Sequence, residues 1–442
     1  MKICTIDIEN YSDKIPNIKL NFLKEDETPY DTIIFIGENG TFKTSILNLI
    51  FSIFNGGYGK KECTSIVTFM LEKEENENFK KEIVNYINSE NLEFCLEKYS
   101  LTKEGGRYKL LGHNNRLLLE GHDILSRDMF KVIFSEALSN FENQRIDHTT
   151  NQTIDKSMKS RKTSNSLAKE IKQLLVDINI QDNQEIAQEV DDATKNKASE
   201  DIFYKISKKE RRFSRFSKAF NNFFEGKEIT KTGNSLDIIF KEGDKVFGID
   251  ELSSGEKQIV FRGSFLLKDK NVEKGSVILI DEPEISMHPN WQIKILTFFR
   301  EIFTENNKQK SQIFIATHSP YILQNSRDCC VIVLKKIGEQ LEIERKNGFY
   351  GWTPDQITEK VFGLQLRPKE VIAKLSYFKE LLKESYESKD KEKKFLEAYK
   401  DLISFLKDDD YELISKNIFD LNQKINKEID EKNQKRSSTQ HY

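Results

Sequence analysis

The sequence predicts an α/β fold in which a sheet of buried strands is covered on both faces by helices, with a helical insertion and an all-helical region after it. Three observations carry this expectation. Short, largely apolar runs, Thr32-Ile33-Ile34-Phe35-Ile36, Val277-Ile278-Leu279-Ile280 and Gln312–Ala316, alternate with segments of helical periodicity. The first run ends at Gly37 and passes through a glycine-bearing turn into Ser45-Ile46-Leu47-Asn48-Leu49-Ile50, which reads as a helix opening. After Arg367-Pro368 the hydrophobic pattern is helical throughout.

Taken in order, Ile3, Ile6 and Ile8 and then Ile18, Leu20 and Phe22 alternate with polar residues, giving strand, turn, strand. Residues 60 to 145 mix strand and helix patterns: an alternating Leu92–Leu96, a Gly105-Gly106 turn and an apolar Met129–Phe134. From Asp147 to Ser166 the chain turns to Thr, Ser, Asn and Lys without periodicity, which predicts a mobile loop. Leu167, Ile171, Leu174, Leu175 and Ile178 then form a helical stripe behind Ser166 as N-cap, and Phe213, Phe216, Phe220 and Phe223 form another. Leu236–Ile249 alternates around Glu242-Gly243-Asp244, a β-hairpin pattern. A helix near Trp291–Phe303 separates two of the buried strands, and a hairpin Val331–Leu334/Leu341–Glu344 follows. Val371, Leu375, Phe378 and Leu382, then Phe395, Tyr399, Leu402 and Leu406, then Ile414, Ile418, Leu421 and Ile425 mark three amphipathic helices. These shifts divide the chain into 1–145 and 233–350 as two parts of one α/β unit, 146–232 as an inserted helical arm or lid, 351–430 as a helical domain and 431–442 as a polar tail.

A length of 442 residues suits one large domain with an appendage, or two to three domains. Lys and Arg number 69 against 72 Asp and Glu, a net charge of −3, so nucleic acid could be held only by a local patch. The 31 phenylalanines exclude disorder throughout, although 32% of the residues are charged. The apolar stretch Ile46 to Phe54 is too short to cross a bilayer, and MKICTIDI opens as a strand rather than a signal peptide. A soluble cytoplasmic protein without a membrane partner is therefore expected. The five cysteines show no CxxC spacing, and the adjacent Cys329 and Cys330 would point to opposite faces of a strand, as reduced packing residues do.

Gly37-Glu38-Asn39-Gly40-Thr41-Phe42-Lys43-Thr44-Ser45 fits the phosphate-binding pattern G-x-x-x-x-G-K-[ST] except at Phe42, where the loop ordinarily has glycine. Such a loop works because backbone N–H groups and a helix N-terminus face the phosphates, Lys43 reaches the β and γ oxygens, and Thr44 ligates Mg²⁺. Alone, the strand, turn and helix would be an ordinary connection. Val277–Ile280 runs into Asp281 and Glu282, where the aspartate suits a Mg²⁺ shell and the glutamate an attacking water; the structural reading is two acids capping the next helix. Leu252-Ser253-Ser254-Gly255-Glu256-Lys257-Gln258 is a polar turn at a helix start, suited to an anion or simply an N-cap. Lys205, Lys208, Lys209, Arg211, Arg212, Arg215 and Lys218 read as a basic cluster on the helix bearing Phe213, Phe216 and Phe220, either a solvated face or a DNA or RNA contact.

In this order the phosphate loop, the Ser253 turn, Glu282-Pro283-Glu284-Ile285-Ser286-Met287-His288-Pro289 and Ile315-Ala316-Thr317-His318-Ser319-Pro320 resemble an ABC-type ATPase head, a P-loop NTPase fold of the RecF/SMC/OLD-like group. The motifs cover roughly residues 1–60 and 235–335. The resemblance implies two heads sandwiching two ATPs. Gly37, Asn39, Gly40, Lys43, Thr44 and Ser45 would hold the nucleotide, and Ser253, Ser254 and Gly255 would meet the γ-phosphate of the other subunit. Thr44 and Asp281 would hold Mg²⁺, Glu282 would position water and His318 would sense the γ-phosphate. Tyr11 offers an adenine stack or, more simply, a hairpin aromatic.

Gly351-Trp352-Thr353-Pro354-Asp355-Gln356-Ile357, Val361-Phe362-Gly363 and Arg367-Pro368 are similar to the segment behind the core of the Septu-type ATPases of bacterial anti-phage systems, which pair with a small HNH nuclease, sometimes beside a retron. Between Gln324 and Leu366 there is no Asp-x-Asp pair, Asp408-Asp409-Asp410 falls in an interhelical turn, and His441 is the one histidine after His318. Nuclease chemistry is therefore expected on another chain, bound through the C-terminal helices. The implied function is ATP-dependent regulation or delivery of that nuclease. Phe42 keeps a second reading open, a nucleotide-binding scaffold that hydrolyses slowly, and the basic cluster a third, a RecF-like DNA-repair ATPase.

Overall fold

The computed structural model describes residues 1–11, 15–55, 64–72, 79, 98–104, 107–112, 117–121, 130–136, 164–231, 238–268, 276–305, 307–338, 340–384 and 389–406. Leu92–Leu96, the Gly105-Gly106 turn, the loop to residue 163, the helix expected at Ile414–Ile425 and the polar tail lie outside them. The chain forms two compact units, Met1–Ile357 and Thr358–Tyr442.

In the first unit, β3 (Thr32–Gly37) is the centre of a six-stranded sheet. It lies between β15 (Gln312–Thr317) and β16 (Cys330–Ile337), parallel to both. β12 (Val277–Asp281) extends the sheet beyond β15, β8 (Val132–Ser135) closes that side, and β17 (Gln340–Lys346) closes the other as the hairpin partner of β16. Every residue of β3, β12 and β15 is buried, as parallel strands covered on both faces require. Because the three run the same way, the ends carrying Gly37, Asp281 and Thr317 stand side by side, where open α/β sheets bind ligands.

On one face lie α1 (Lys43–Phe54) and an antiparallel sheet containing β1 (Lys2–Glu9), β2 (Ile18–Asn21), β4 (Thr64–Met70), β5 (Lys98–Glu104), β6 (Arg107–Leu111) and β7 (Leu117–Gly121). Its alternating residues Ile3, Ile6, Ile8, Val67 and Phe69 share a core with Ile46 and Ile50 of α1 and with Phe35 and Phe314. Gln312 joins the two sheets: its Oε1 accepts from the Ile3 N–H at 2.6 Å, and its Nε2 donates to Ile3 O at 3.0 Å and Tyr30 O at 2.8 Å.

The inserted segment contributes α2 (Ser164–Lys195), α3 (Glu200–Lys208) and α4 (Arg212–Phe223), followed by a sheet of β9 (Lys227–Lys231), β10 (Ile238–Glu242) and β11 (Lys245–Phe247). Gly243 takes a φ of 59° in the turn of the expected hairpin β10–β11. Then come α5 (Ser254–Leu266), α6 (Pro289–Ile302) and the one-turn α7 (Pro320–Leu323). Between α6 and β15, β13 (Thr304–Glu305) and β14 (Lys308–Gln309) pair antiparallel as a short ribbon. The inserted helices belong to the first unit instead of standing apart as an arm. The cause is aromatic: Phe216 and Phe223 meet Phe298 of α6 edge-on, and Phe220 packs on Phe240 of β10. α2 is also longer than its stripe suggests, running 32 residues from Ser164, with Ala168, Ile171, Leu174, Leu175 and Ile178 buried.

Helix α8 (Pro354–Lys360) spans the boundary between the units. In the second unit α9 (Lys369–Glu384) and α10 (Lys389–Ile403) pair through Leu375, Phe378, Leu381, Phe395 and Leu402.

Candidate nucleotide-binding site

The loop after β3 is shaped by close approach. A Cβ at Gly37 would lie 2.3 Å from Leu334 O and 2.6 Å from Thr41 Oγ1, so nothing but glycine fits. Gly40 has φ 82°, and Phe42, the N-cap of α1, sits in the left-handed region at φ 68°, ψ 16°. That conformation costs a residue with a Cβ about 1–2 kcal/mol, the strain expected when glycine is replaced here. Asn39, Gly40 and Thr44 are exposed and Ser45 is half-buried. The first N–H groups of α1 have no acceptor within the helix, which leaves them for an anion. Lys43 is 5% exposed and donates to Gly37 O at 2.8 Å and Glu38 O at 2.9 Å. Burial pulls its pKa down, against the opposing pull of Glu282, Glu284 and Asp281.

Thr44 Oγ1 donates to Asp281 Oδ1 at 3.1 Å, joining the loop to the end of β12. A hydroxyl and a carboxylate side by side are the hard oxygen donors Mg²⁺ takes, so the pair suits that ion. Asp281 is 2% exposed, and its pKa is pushed up to about 6, chiefly by burial, with Glu282 and Glu284 adding to the shift and Thr44 and Arg262 opposing it. A carboxyl in that condition takes up a cation readily.

Beside it, the Glu282 N–H donates to Ala316 O at 2.8 Å, and Glu282 Oε1 stands 3.4 Å from His318 Nδ1. Glu284 reaches the same place from two residues on, with Oε1 accepting from Thr317 Oγ1 at 2.6 Å and from the His318 N–H at 2.9 Å. Ser319 caps α7 and donates to Gln292 Oε1 of α6 at 2.6 Å. Gly37, Lys43, Thr44, Asp281, Glu282 and His318 thus converge at three neighbouring strand ends.

Ser253, Ser254 and Gly255 are not brought to that cluster within the chain: among the described residues no hydrogen bond joins them to residues 37–45. Ser253 caps α5 in a reciprocal box, its Oγ accepting from the Glu256 N–H at 3.3 Å and Glu256 Oε2 from the Ser253 N–H at 2.7 Å. Lys227 holds Glu256 Oε1 at 2.6 Å. Ser253 and Ser254 are exposed, while Gly255 is buried where a Cβ would lie 2.8 Å from Trp291. The turn is braced from inside and faces outward, the form a contact with another subunit needs.

Two site residues escaped the sequence reading. Arg262, 2% exposed on α5, donates to the Asp281 carbonyl at 3.1 Å and so ties this helix to β12. Its one signal was an arginine amid the apolar residues of a helix. Glu284 was visible only as part of a motif. The basic cluster needs correcting: Lys205 and Lys208 lie on α3, while Arg211 caps α4 and Arg212 and Arg215 belong to it. Arg211, Arg212 and Arg215 are buried, with Arg212 Nε on Asp182 Oδ1 at 2.9 Å and Arg215 Nε on Ile302 O at 3.1 Å. Lys209 pairs with Glu189 and Lys218 with Glu210. Carboxylates of α2 take up Arg211 and Arg212 and a core carbonyl takes up Arg215, while Lys205, Lys208, Lys209 and Lys218 are exposed, so the seven cations do not form one exposed face. Tyr11 packs on the core, its hydroxyl 3.3 Å from Ser52 Oγ, as a hairpin aromatic does.

A family model described as "AAA domain, putative AbiEii toxin, Type IV TA system" matches residues 33–324. Septu protein PtuA of Bacillus thuringiensis is 29% identical over 184 residues, covering 38% of this chain and 44% of that protein. The Retron Ec83 probable ATPase of Escherichia coli is 27% identical over 177 residues, covering 38% of this chain and 28% of that protein. The chain thus spans less than half the length of these curated relatives. A solved structure of an SMC head bound to the C-terminal winged-helix domain of ScpA aligns with 78% of this chain and 98% of that one, at 13% identity and a TM-score of 0.46. With its phosphate loop, paired strand-end acids and His318 in one place, and with the family model matching residues 33–324, the chain belongs to this AAA family and is similar in part to Septu PtuA.

Proposed function

We propose that the protein hydrolyses ATP between two copies of itself and uses the cycle to regulate or deliver a partner nuclease of the HNH type in anti-phage defence. The observation that carries the reading is the contact of Thr44 with Asp281 at 3.1 Å beside the Glu282–His318 pair at 3.4 Å. The Septu and retron relatives supply the setting, and the second unit, with its own helical core, is the proposed seat of the partner.

In this reading the N–H groups at the start of α1 and Lys43 take the phosphates, and Lys43 exchanges its carbonyl partners for phosphate oxygens. Thr44 and Asp281 hold Mg²⁺, which when bound neutralises charge on the transferring phosphoryl group. Glu282 accepts a proton from the attacking water, and His318 orients Glu282 and meets the γ-phosphate. Ser253, Ser254 and the start of α5 complete the site of the other copy.

Glu282→Gln tests this. General-base removal slows turnover by about 10²–10⁴-fold, while ATP binding persists. Light scattering should then find ATP-dependent dimers in the variant; equal turnover in wild type and variant, or no dimer with ATP, would end the proposal.

A further inference from the structure

We infer that Glu284 is a positioning residue of this site, a single carboxylate that fastens the turn carrying Glu282 to the strand end carrying His318. This rests on the roles proposed above for those two residues. Glu284 Oε1 accepts from Thr317 Oγ1 at 2.6 Å and the His318 N–H at 2.9 Å, and lies 3.5 Å from His318 Nδ1. His318 Nδ1 is in turn 3.4 Å from Glu282 Oε1, so one imidazole nitrogen stands between the two carboxylates.

The turn itself is strained. Glu282 has φ 40° and Ser286 φ 64°, both left-handed without being glycine. Such conformations persist where the surroundings over-determine them. Glu284 sits between them, its side chain 5% exposed, and its Oε2 is buried with no hydrogen-bond partner among the described residues. A half-satisfied buried carboxylate lowers stability and calls for another reason to be there. Holding Glu282 and His318 at a fixed separation is that reason: Glu284 touches the strand end through two donors and the turn through its own backbone.

The test uses the full chain with Glu284→Ala and Glu284→Gln. It measures kcat, the KM for ATP and the long-range ¹H–¹⁵N imidazole signals of nucleotide-free protein, with His318→Gln identifying the relevant resonance. Misplacing a catalytic group by an ångström costs about 100-fold in rate, so E284A should lose kcat on that order, hold KM within about threefold and shift the His318 signal. E284Q keeps an oxygen for both donors and should recover most of the loss. Should E284A fail to fold, Glu284→Asp, which shortens the reach by one methylene, replaces it with the same expectations. E284A at wild-type kcat, a KM rise in place of a kcat loss, or E284Q as slow as E284A would overturn the inference. An unmoved His318 signal overturns it whatever the turnover. If wild type hydrolyses no ATP yet the signal moves in E284A, the positioning role stands and the proposed function is what fails.

Discussion

At the ends of β3, β12 and β15 the protein buries Lys43, Asp281 and Glu284; between α2 and α4 it buries Arg211, Arg212 and Arg215. The two places answer their charges differently. In the inserted helices Arg212 meets Asp182 at 2.9 Å, Gln181 Oε1 at 3.1 Å and Leu267 O at 3.3 Å. Glu189, hydrogen-bonded by Arg211 and Lys209, has its pKa held down to about 2, first through the Arg211 bond. At the strand ends Asp281 is pushed up to about 6, chiefly by burial, and Phe42 and Glu282 occupy left-handed conformations. Buried arginines met by carboxylates hold helices together, whereas carboxylates gathered beside one another at the strand ends suit a cation from outside.

The sharpest way to break this contrast is to unpair the insertion. Arg212→Met leaves Asp182 buried without its cation, and losing one member of such a pair costs about 3–5 kcal/mol. Thermal melting of R212M should fall well below wild type, and adding Asp182→Leu should recover part of the loss. A melt unchanged in R212M would show that the pair holds nothing.

Next comes the opposite sign at the site. Asp281 titrates near 3.8 unfolded and about 6 folded, so ionising it costs the folded state. Stability is lost as pH rises through that window, and the penalty is complete above it. Asp281→Asn retains an acceptor for Thr44 and removes the penalty. The nucleotide-free variant should therefore melt higher than wild type above pH 6, by about 1–3 kcal/mol. Below the window the two should converge. Glu189 behaves conversely, since a depressed carboxylate contributes stability above its unfolded value of 4.5 that is lost as pH falls toward 2.

The smallest expected effect is at Phe42. Phe42→Gly relieves about 1 kcal/mol of left-handed strain but adds freedom to the unfolded chain, so stability should scarcely move. If the loop is impaired, steady-state ATPase assays should find F42G several-fold faster. Wild type already as fast as F42G would dispose of the slow-scaffold reading.

The legible parts of the molecule were those where one local rule decides. β3, β12 and β15 could be read because strands buried on both faces are apolar along most of their length, with polar residues only at their ends, and the phosphate loop because Gly37 and Lys43 stand at fixed spacing. The hairpin at Gly243 followed from its turn. The fate of the arginines was not legible: Arg212 pairs with Asp182, 30 residues away and on another helix, and nothing local marks that partnership. The same holds for Arg262, whose acceptor is a backbone carbonyl at the end of β12, and for Glu284, whose donors lie across the sheet on β15 and just beyond it. Long-range polar partners are chosen by the fold, so a charge run read along the chain mixed interior braces, Arg211, Arg212 and Arg215, with lysines that are exposed.

The position of β3 also bears on how the protein is made. Its partners β15 and β16 begin about 280 and 300 residues later in the chain, and the carbonyl that closes on Gly37 belongs to Leu334. At about 5–20 residues per second, the ribosome takes tens of seconds to deliver them. During that time a strand of four consecutive apolar residues, Ile33 to Ile36, has no ladder to join, which makes the nascent chain the stage most exposed to aggregation. The strand that lies in register with Gly37 is thus among the later parts of the first unit to be synthesised, and the loop stands beside a missing neighbour until it arrives.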